Sequence, residues 1–137
     1  MKATIDHVGI AVGNLADSLA FFRDALGLEV DRPEDVISQR VRAHFVFTAD
    51  GPGGAKLELL EATADDSPIA KYVAKRGAGM HHVALRVDDI AAALAELKAR
   101  GVRLIDEVPR PGAHGTTVAF IHPSSTHGVL VELVQRP

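Results

Sequence analysis

Met80-His81-His82-Val83-Ala84-Leu85-Arg86-Val87 restates the pattern of Ile5-Asp6-His7-Val8-Gly9-Ile10-Ala11-Val12, with a histidine recurring at an offset of 75 residues, from His7 to His82. Further on, Leu57-Glu58-Leu59-Leu60 is answered by Val131-Glu132-Leu133-Val134, an offset of 74 from Glu58 to Glu132. Each half of the chain thus carries one histidine on its first apolar strand and one glutamate on its last. In residues 4–12, Val8, Ile10 and Val12 share one strand face, while His7, Gly9 and Ala11 share the other. Two hydrophobic strands per half that each give one inward position to a titratable side chain suggest a shared site. Two histidines and two carboxylates are a typical ligand set for a divalent metal.

Working outward, each half reads as β-α-β-β-β. Asn14 caps a helix predicted over 15–26, with Leu15, Leu19, Phe22 and Leu26 as its apolar stripe and Gly27 as its stop. Strands are predicted at about 28–32, 41–48 and 55–62, with Gly51-Pro52-Gly53-Gly54 as the turn before the last. Ser67-Pro68 opens a short connecting helix, about 67–76. In the second half a helix runs over 90–100 behind a cap at Asp88 or Asp89, and strands follow at about 102–107, 116–122 and 128–135. The fold class expected is α+β. Two paired βαβββ modules, about 4–62 and 79–135, form a curved mixed sheet with a metal site in its concave cleft, all within one domain spanning 1–137. The alternation places His7, Glu58, His82 and Glu132 on the concave face. His81, next to His82, points the other way, toward a helix or a partner subunit.

Composition narrows the classes. The length suits one ordinary domain, and 47% apolar and 24% charged residues suit a soluble globular protein. No apolar run approaches the roughly 18 residues of a membrane span. With no secretory signal in view, a cytoplasmic location is expected. The chain has no cysteine, so a metal must be held by nitrogen and oxygen. A net charge of −3 gives no reason to expect nucleic acid. Ser67, Ser124 and Ser125 have no His/Asp partners at a recognisable spacing, which removes serine nucleophile chemistry.

The residues resemble the vicinal oxygen chelate (glyoxalase/bleomycin resistance/dioxygenase) superfamily and, within it, the methylmalonyl-CoA epimerase family. The stretches that carry the resemblance are Ile5-Asp6-His7-Val8, Leu57-Glu58-Leu59-Leu60-Glu61, Asp66-Ser67-Pro68-Ile69-Ala70-Lys71, His81-His82-Val83-Ala84, Gly112-Ala113-His114-Gly115, His122-Pro123 and Gly128-Val129-Leu130-Val131-Glu132-Leu133. Among these, the Ser-Pro-Ile-Ala connector, the Gly-Ala-His-Gly loop and the His-Pro turn are the most specific. The resemblance implies metal ligands at His7, Glu58, His82 and Glu132, with Co²⁺ first among the ions and Mn²⁺, Ni²⁺ or Zn²⁺ as alternatives. It implies an acyl-CoA substrate, a homodimer and a role in propionate metabolism, while charge and composition lead us to expect no nucleic-acid or membrane partner. The implied reaction interconverts (R)- and (S)-methylmalonyl-CoA by proton abstraction alpha to the thioester, through an enolate that the metal stabilises as a Lewis acid.

Epimerisation needs acid/base groups on two sides of the α-carbon. The resemblance makes Glu132 one base. Some relatives place a carboxylate where this chain has Ala43, and the adjacent His44 should face away. Glu58, partly released from the metal, or a water is therefore the hypothesised second base. His114, Gly115 and Ser124 are candidate substrate contacts. Many relatives carry lysine at the Ser124 position, which leaves Lys71, Arg103 or Arg110 to meet an anionic group. The alternatives are a glyoxalase-type lyase acting like lactoylglutathione lyase, an extradiol dioxygenase, and a metal-free binding protein on the same scaffold. Glu58 as a fourth ligand argues against the dioxygenase, and the complete ligand set against the binding protein.

Overall fold

The computed structural model describes residues 1–137, which cluster into two compact units. One unit is His7–His81; the other is His82–Pro137 together with Met1–Asp6. The class is α+β, with mixed sheets and helices packed on them.

In the His7–His81 unit, β1 (Thr4–Ala11) enters at its start and pairs in parallel with β5 (Lys56–Ala62). β5 runs antiparallel to β4 (Val41–Phe47), which also pairs with the short edge strands β2 (Glu29–Val30) and β3 (Glu34–Val36). The register fixes the faces. His7, Gly9 and Ala11 share a face with Lys56, Glu58 and Leu60, and with Ala43 and Phe45. The other face carries Ile10, Val12, Val46, Leu57 and Leu59, which pack against Leu15, Leu19 and Phe22. His44 lies on that second face. The connecting helix α2 (Pro68–Arg76) covers part of the first through Ile69, Tyr72 and Val73.

The predicted helix 15–26 begins as α1 (Leu15–Leu19) under the expected Asn14 cap, then widens into a π-helical stretch, Ala20–Ala25. Leu26 N–H reaches back five residues to Phe21 O (2.9 Å). The extra residue in that turn swings Leu26 off the stripe, so it stands 53% exposed instead of joining the core. Gly27 ends the helix at φ +71°, as expected.

In the other unit, β6 (Gly79–Arg86) lies parallel to β9 (Val131–Gln135), β9 antiparallel to β8 (Thr117–Ile121), and β8 antiparallel to β7 (Arg110–Pro111). Helix α3 (Ile90–Ala99), capped by Asp89, packs Ala93 and Leu94 against Leu85, Ala119, Ile121 and Leu133. The opposite face carries His82, Ala84, Phe120, Glu132 and Val134. The strand predicted at 102–107 is absent; only Leu104 bridges to Ile121. The backbone N–H groups of Ile105 and Asp106 converge on Phe120 O, and the Asp106 carboxylate takes the Phe120 N–H (2.8 Å). A side chain standing in for a backbone acceptor stops the ladder there.

Candidate functional site

Each unit holds one histidine–glutamate pair on the face away from its amphipathic helix. In the first, His7 and Glu58 are 4% and 6% exposed, with His7 Nε2 3.3 Å from Glu58 Oε1. The parallel register sets Glu58 directly beside Gly9, which has no side chain to intervene, two residues past His7. In the second, His82 and Glu132 are 5% and 7% exposed, with His82 Nε2 3.8 Å from Glu132 Oε2. Here Glu132 lies beside Ala84, two residues past His82, so the offset between histidine and glutamate is the same.

The His7–Glu58 separation fits two ligands of one cation, and the His82–Glu132 separation is a few tenths of an ångström wider. Two ligand atoms held about 2.1 Å from one ion stand about 3.0 Å apart at right angles and about 3.4 Å apart at the tetrahedral angle. A buried carboxylate against an imidazole can also be a plain ion pair. Such a pair has no reason to recur in both halves with the same burial, face and register. An imidazole nitrogen beside a carboxylate is a donor pair suited to borderline divalent metals.

The histidines are braced alike. The His7 ring meets Phe45 edge-to-face (centroids 5.5 Å, 71°), and the His82 ring meets Phe120 in the same way (5.7 Å, 85°). Phe45 stands opposite Glu58, and Phe120 opposite Glu132. Each phenyl face carries a cation: Lys56 Nζ lies 5.7 Å from the Phe45 centroid, and Arg110 Cζ 5.4 Å from that of Phe120. The phenylalanines recur at the same 75-residue offset as the histidines, a signal present in the sequence but not used above. Nothing in the pattern marked Lys56, only 4% exposed with its ammonium donating to Gly54 O, whereas Arg110 is one of the cations expected to meet an anionic group.

The other expected site residues fall elsewhere. His81 sits edge-to-face with Tyr72 of α2 (4.9 Å), whose hydroxyl donates to Met80 O (2.6 Å). Burial lowers the His81 pKa, and the negative charge of Glu58 partly restores it, so His81 stands within the field of that pair. Ala43 shares the face of Glu58 and is fully buried. His114 adopts a left-handed conformation (φ 56°) in an exposed turn, followed by Gly115 at φ 70°. Ser124 is turned back on His122: its backbone N–H donates to His122 Nδ1 (3.0 Å) and its Oγ lies 2.8 Å from the same nitrogen.

Comparison with known proteins agrees with this arrangement. The sequence profile of the Glyoxalase/Bleomycin resistance protein/Dioxygenase superfamily matches residues 6–120, most of the chain. The chain belongs to that superfamily. Within the superfamily it is 41% identical over 133 residues to a mitochondrial methylmalonyl-CoA epimerase of Dictyostelium discoideum, covering 96% of this chain and 78% of that one. It is 39% identical over 137 residues to an ethylmalonyl-CoA/methylmalonyl-CoA epimerase of Cereibacter sphaeroides, covering 98% and 99%. A solved superfamily member, a methylmalonyl-CoA epimerase in complex with methylmalonyl-CoA and NH4+, superposes with a TM-score of 0.89 at 40% identity, covering 98% of this chain and 95% of that one.

Proposed function

We propose that this protein is a divalent-metal-dependent epimerase that interconverts (R)- and (S)-methylmalonyl-CoA. The observation that carries the reading is the recurrence of one buried, phenyl-braced histidine–glutamate pair in each half. Similarity to methylmalonyl-CoA epimerases over nearly the whole chain supports the substrate class. His7, Glu58, His82 and Glu132 would hold the ion, Co²⁺ first, then Mn²⁺, Ni²⁺ or Zn²⁺. When bound, a divalent cation supplies Lewis acidity toward the oxygens that flank the α-carbon.

The chain's own groups move the proton. Glu132 takes it from the α-carbon as the C–H electron pair delocalises into the thioester carbonyl. Glu58, entering the step protonated, gives its proton to the opposite face, and the two carboxyl groups exchange protons with solvent between turnovers. Burial of both carboxylates keeps bulk water away from the carbanion and strengthens their electrostatic contacts. His7 and His82 stay fixed by Phe45 and Phe120. The proposed working form is a homodimer, following the resemblance. No helix is long and apolar enough to cross a membrane.

One experiment tests the reading. The purified protein is assayed for bound metal, and α-proton exchange of methylmalonyl-CoA is followed in D₂O. Stoichiometric metal with exchange from both epimers is expected. Absence of both sinks the proposal, and turnover of the glutathione hemithioacetal in its place favours the lyase.

A further inference from the structure

We propose that Arg110 is the anion-receiving residue for the acyl-CoA substrate, an inference that rests on the epimerase reading. Arg110 stands opposite Val118 on β7, so its side chain projects from the same sheet face as Phe120, Glu132 and His82. It lies one aromatic ring from the histidine–glutamate pair: its guanidinium covers the Phe120 ring, and the edge of Phe120 meets His82.

The guanidinium is held but not spent. Asp106, itself anchored by the Phe120 N–H, lies 3.3 Å from Nε, and this is the only charged group against it. That Nε is buried and makes no hydrogen bond, while the side chain as a whole remains 36% exposed. Other cations of this unit are held by carboxylates. Arg136 grips Asp6 in a two-pronged contact, Arg86 lies against the same carboxylate, and Lys98 pairs with Glu107.

A planar fork stacked on a phenyl ring is preorganised for an oxygen pair, either a carboxylate or a phosphate. Ordering the fork beforehand removes entropy that an unrestrained arginine would lose on binding. An acyl-CoA with a carboxylate on its α-carbon offers both kinds of anion, and the two can be told apart.

Binding of methylmalonyl-CoA and of propionyl-CoA, which keeps the phosphates but lacks the carboxylate, is measured by titration calorimetry on wild type, Arg110→Met and Arg110→Lys, with metal content determined in each. Loss of a charge-assisted hydrogen-bonded pair predicts a Kd about 10- to 100-fold weaker for Arg110→Met, partly recovered by Arg110→Lys, at unchanged metal content. Weakening confined to methylmalonyl-CoA assigns the fork to the carboxylate, and equal weakening of both assigns it to phosphate. Wild-type affinity for both ligands in Arg110→Met, or a fall that tracks metal loss, overturns the proposal. If wild type binds in an Arg110-dependent way yet exchanges no α-proton, the epimerase reading fails while Arg110 stands.

Discussion

At the scale of single residues, Glu58 and His44 show how neighbouring strands divide one protein between chemistry and packing. Glu58 sits on the same face as His7, buried and 3.3 Å from its Nε2. Glu58→Gln keeps the shape and removes the basic oxygen. If Glu58 is the second base, epimerisation should fall by about 10²- to 10⁴-fold. Solvent deuterium should still wash into one epimer through Glu132. Unchanged epimerisation from both isomers would rule Glu58 out as a base. His44 faces the opposite side and is 7% exposed. Burial lowers its pKa from the ordinary 6.5; the Asp31 backbone and then Glu61 pull it part of the way back, and Arg42 pushes it further down. The unfolded chain therefore takes a proton near pH 6.5 that the folded chain refuses. This contribution is intact above that pH, is lost as pH falls below it, and levels off only under the folded pKa. His44→Phe removes the group, so its melting temperature should gain on wild type as pH drops from about 7.5 to 5.5. A gap that stays constant over that range would show that His44 contributes no such term.

At the scale of elements, the turn from β7 to β8 is fixed by steric fit. A Cβ on Gly112 would lie 2.6 Å from both Thr116 Oγ1 and Val118 Cγ1. Thr116 cannot retreat easily, since its hydroxyl donates to Ala113 O and its carbonyl accepts the Gly112 N–H. Gly112→Ala is expected to cost about 1–3 kcal/mol in chemical denaturation. Because the same turn carries Arg110, the variant should also bind substrate more weakly, and unaltered stability would refute the clash. The sequence showed less of such elements than of the strands that carry the histidine–glutamate pairs. Strand alternation was readable at His7, Glu58, His82 and Glu132 because period-two burial is set locally by the pleat. The caps at Asn14, Ser67 and Asp89 were readable because short polar side chains satisfy helix N–H groups next to them in the chain. The π-helical turn that expels Leu26 was not readable, since apolar spacing alone cannot tell a 3.6-residue turn from a wider one. Nor was the loss of the 102–107 strand, which depends on Asp106 meeting an N–H fourteen residues away. The stacking of Lys56 on Phe45 and of Arg110 on Phe120 was hidden for the same reason: the cations reach the rings across strand pairings that only folding creates.

At the scale of the whole molecule, the chain enters and leaves the His82–Pro137 unit, and one buried ion pair joins its two segments. Asp6, 1% exposed, receives Arg136 Nε at 2.8 Å and Nη2 at 3.0 Å, with Arg86 Nε 4.0 Å away. These partners are 130 residues apart, so the contact closes nearly the entire sequence into a loop. A carboxylate this deeply buried is tolerable only because its oxygens are bound on both sides by a guanidinium fork. Arg136→Ala removes the fork from the buried Asp6, with Arg86 Nε 4.0 Å from its carboxylate. Breaking a buried pair from one side costs about 3–5 kcal/mol; the part-exposed Arg136 reduces this to about 2–4 kcal/mol. Asp6→Ala should cost a similar amount, and the double variant clearly less than the two together, because each single change strands the other partner. All three variants should bind metal in wild-type stoichiometry once folded, since the pair supplies no ligand. Additive losses in the double-variant cycle, or an Arg136→Ala protein that unfolds at the wild-type denaturant midpoint, would show that the clasp does not hold the unit together.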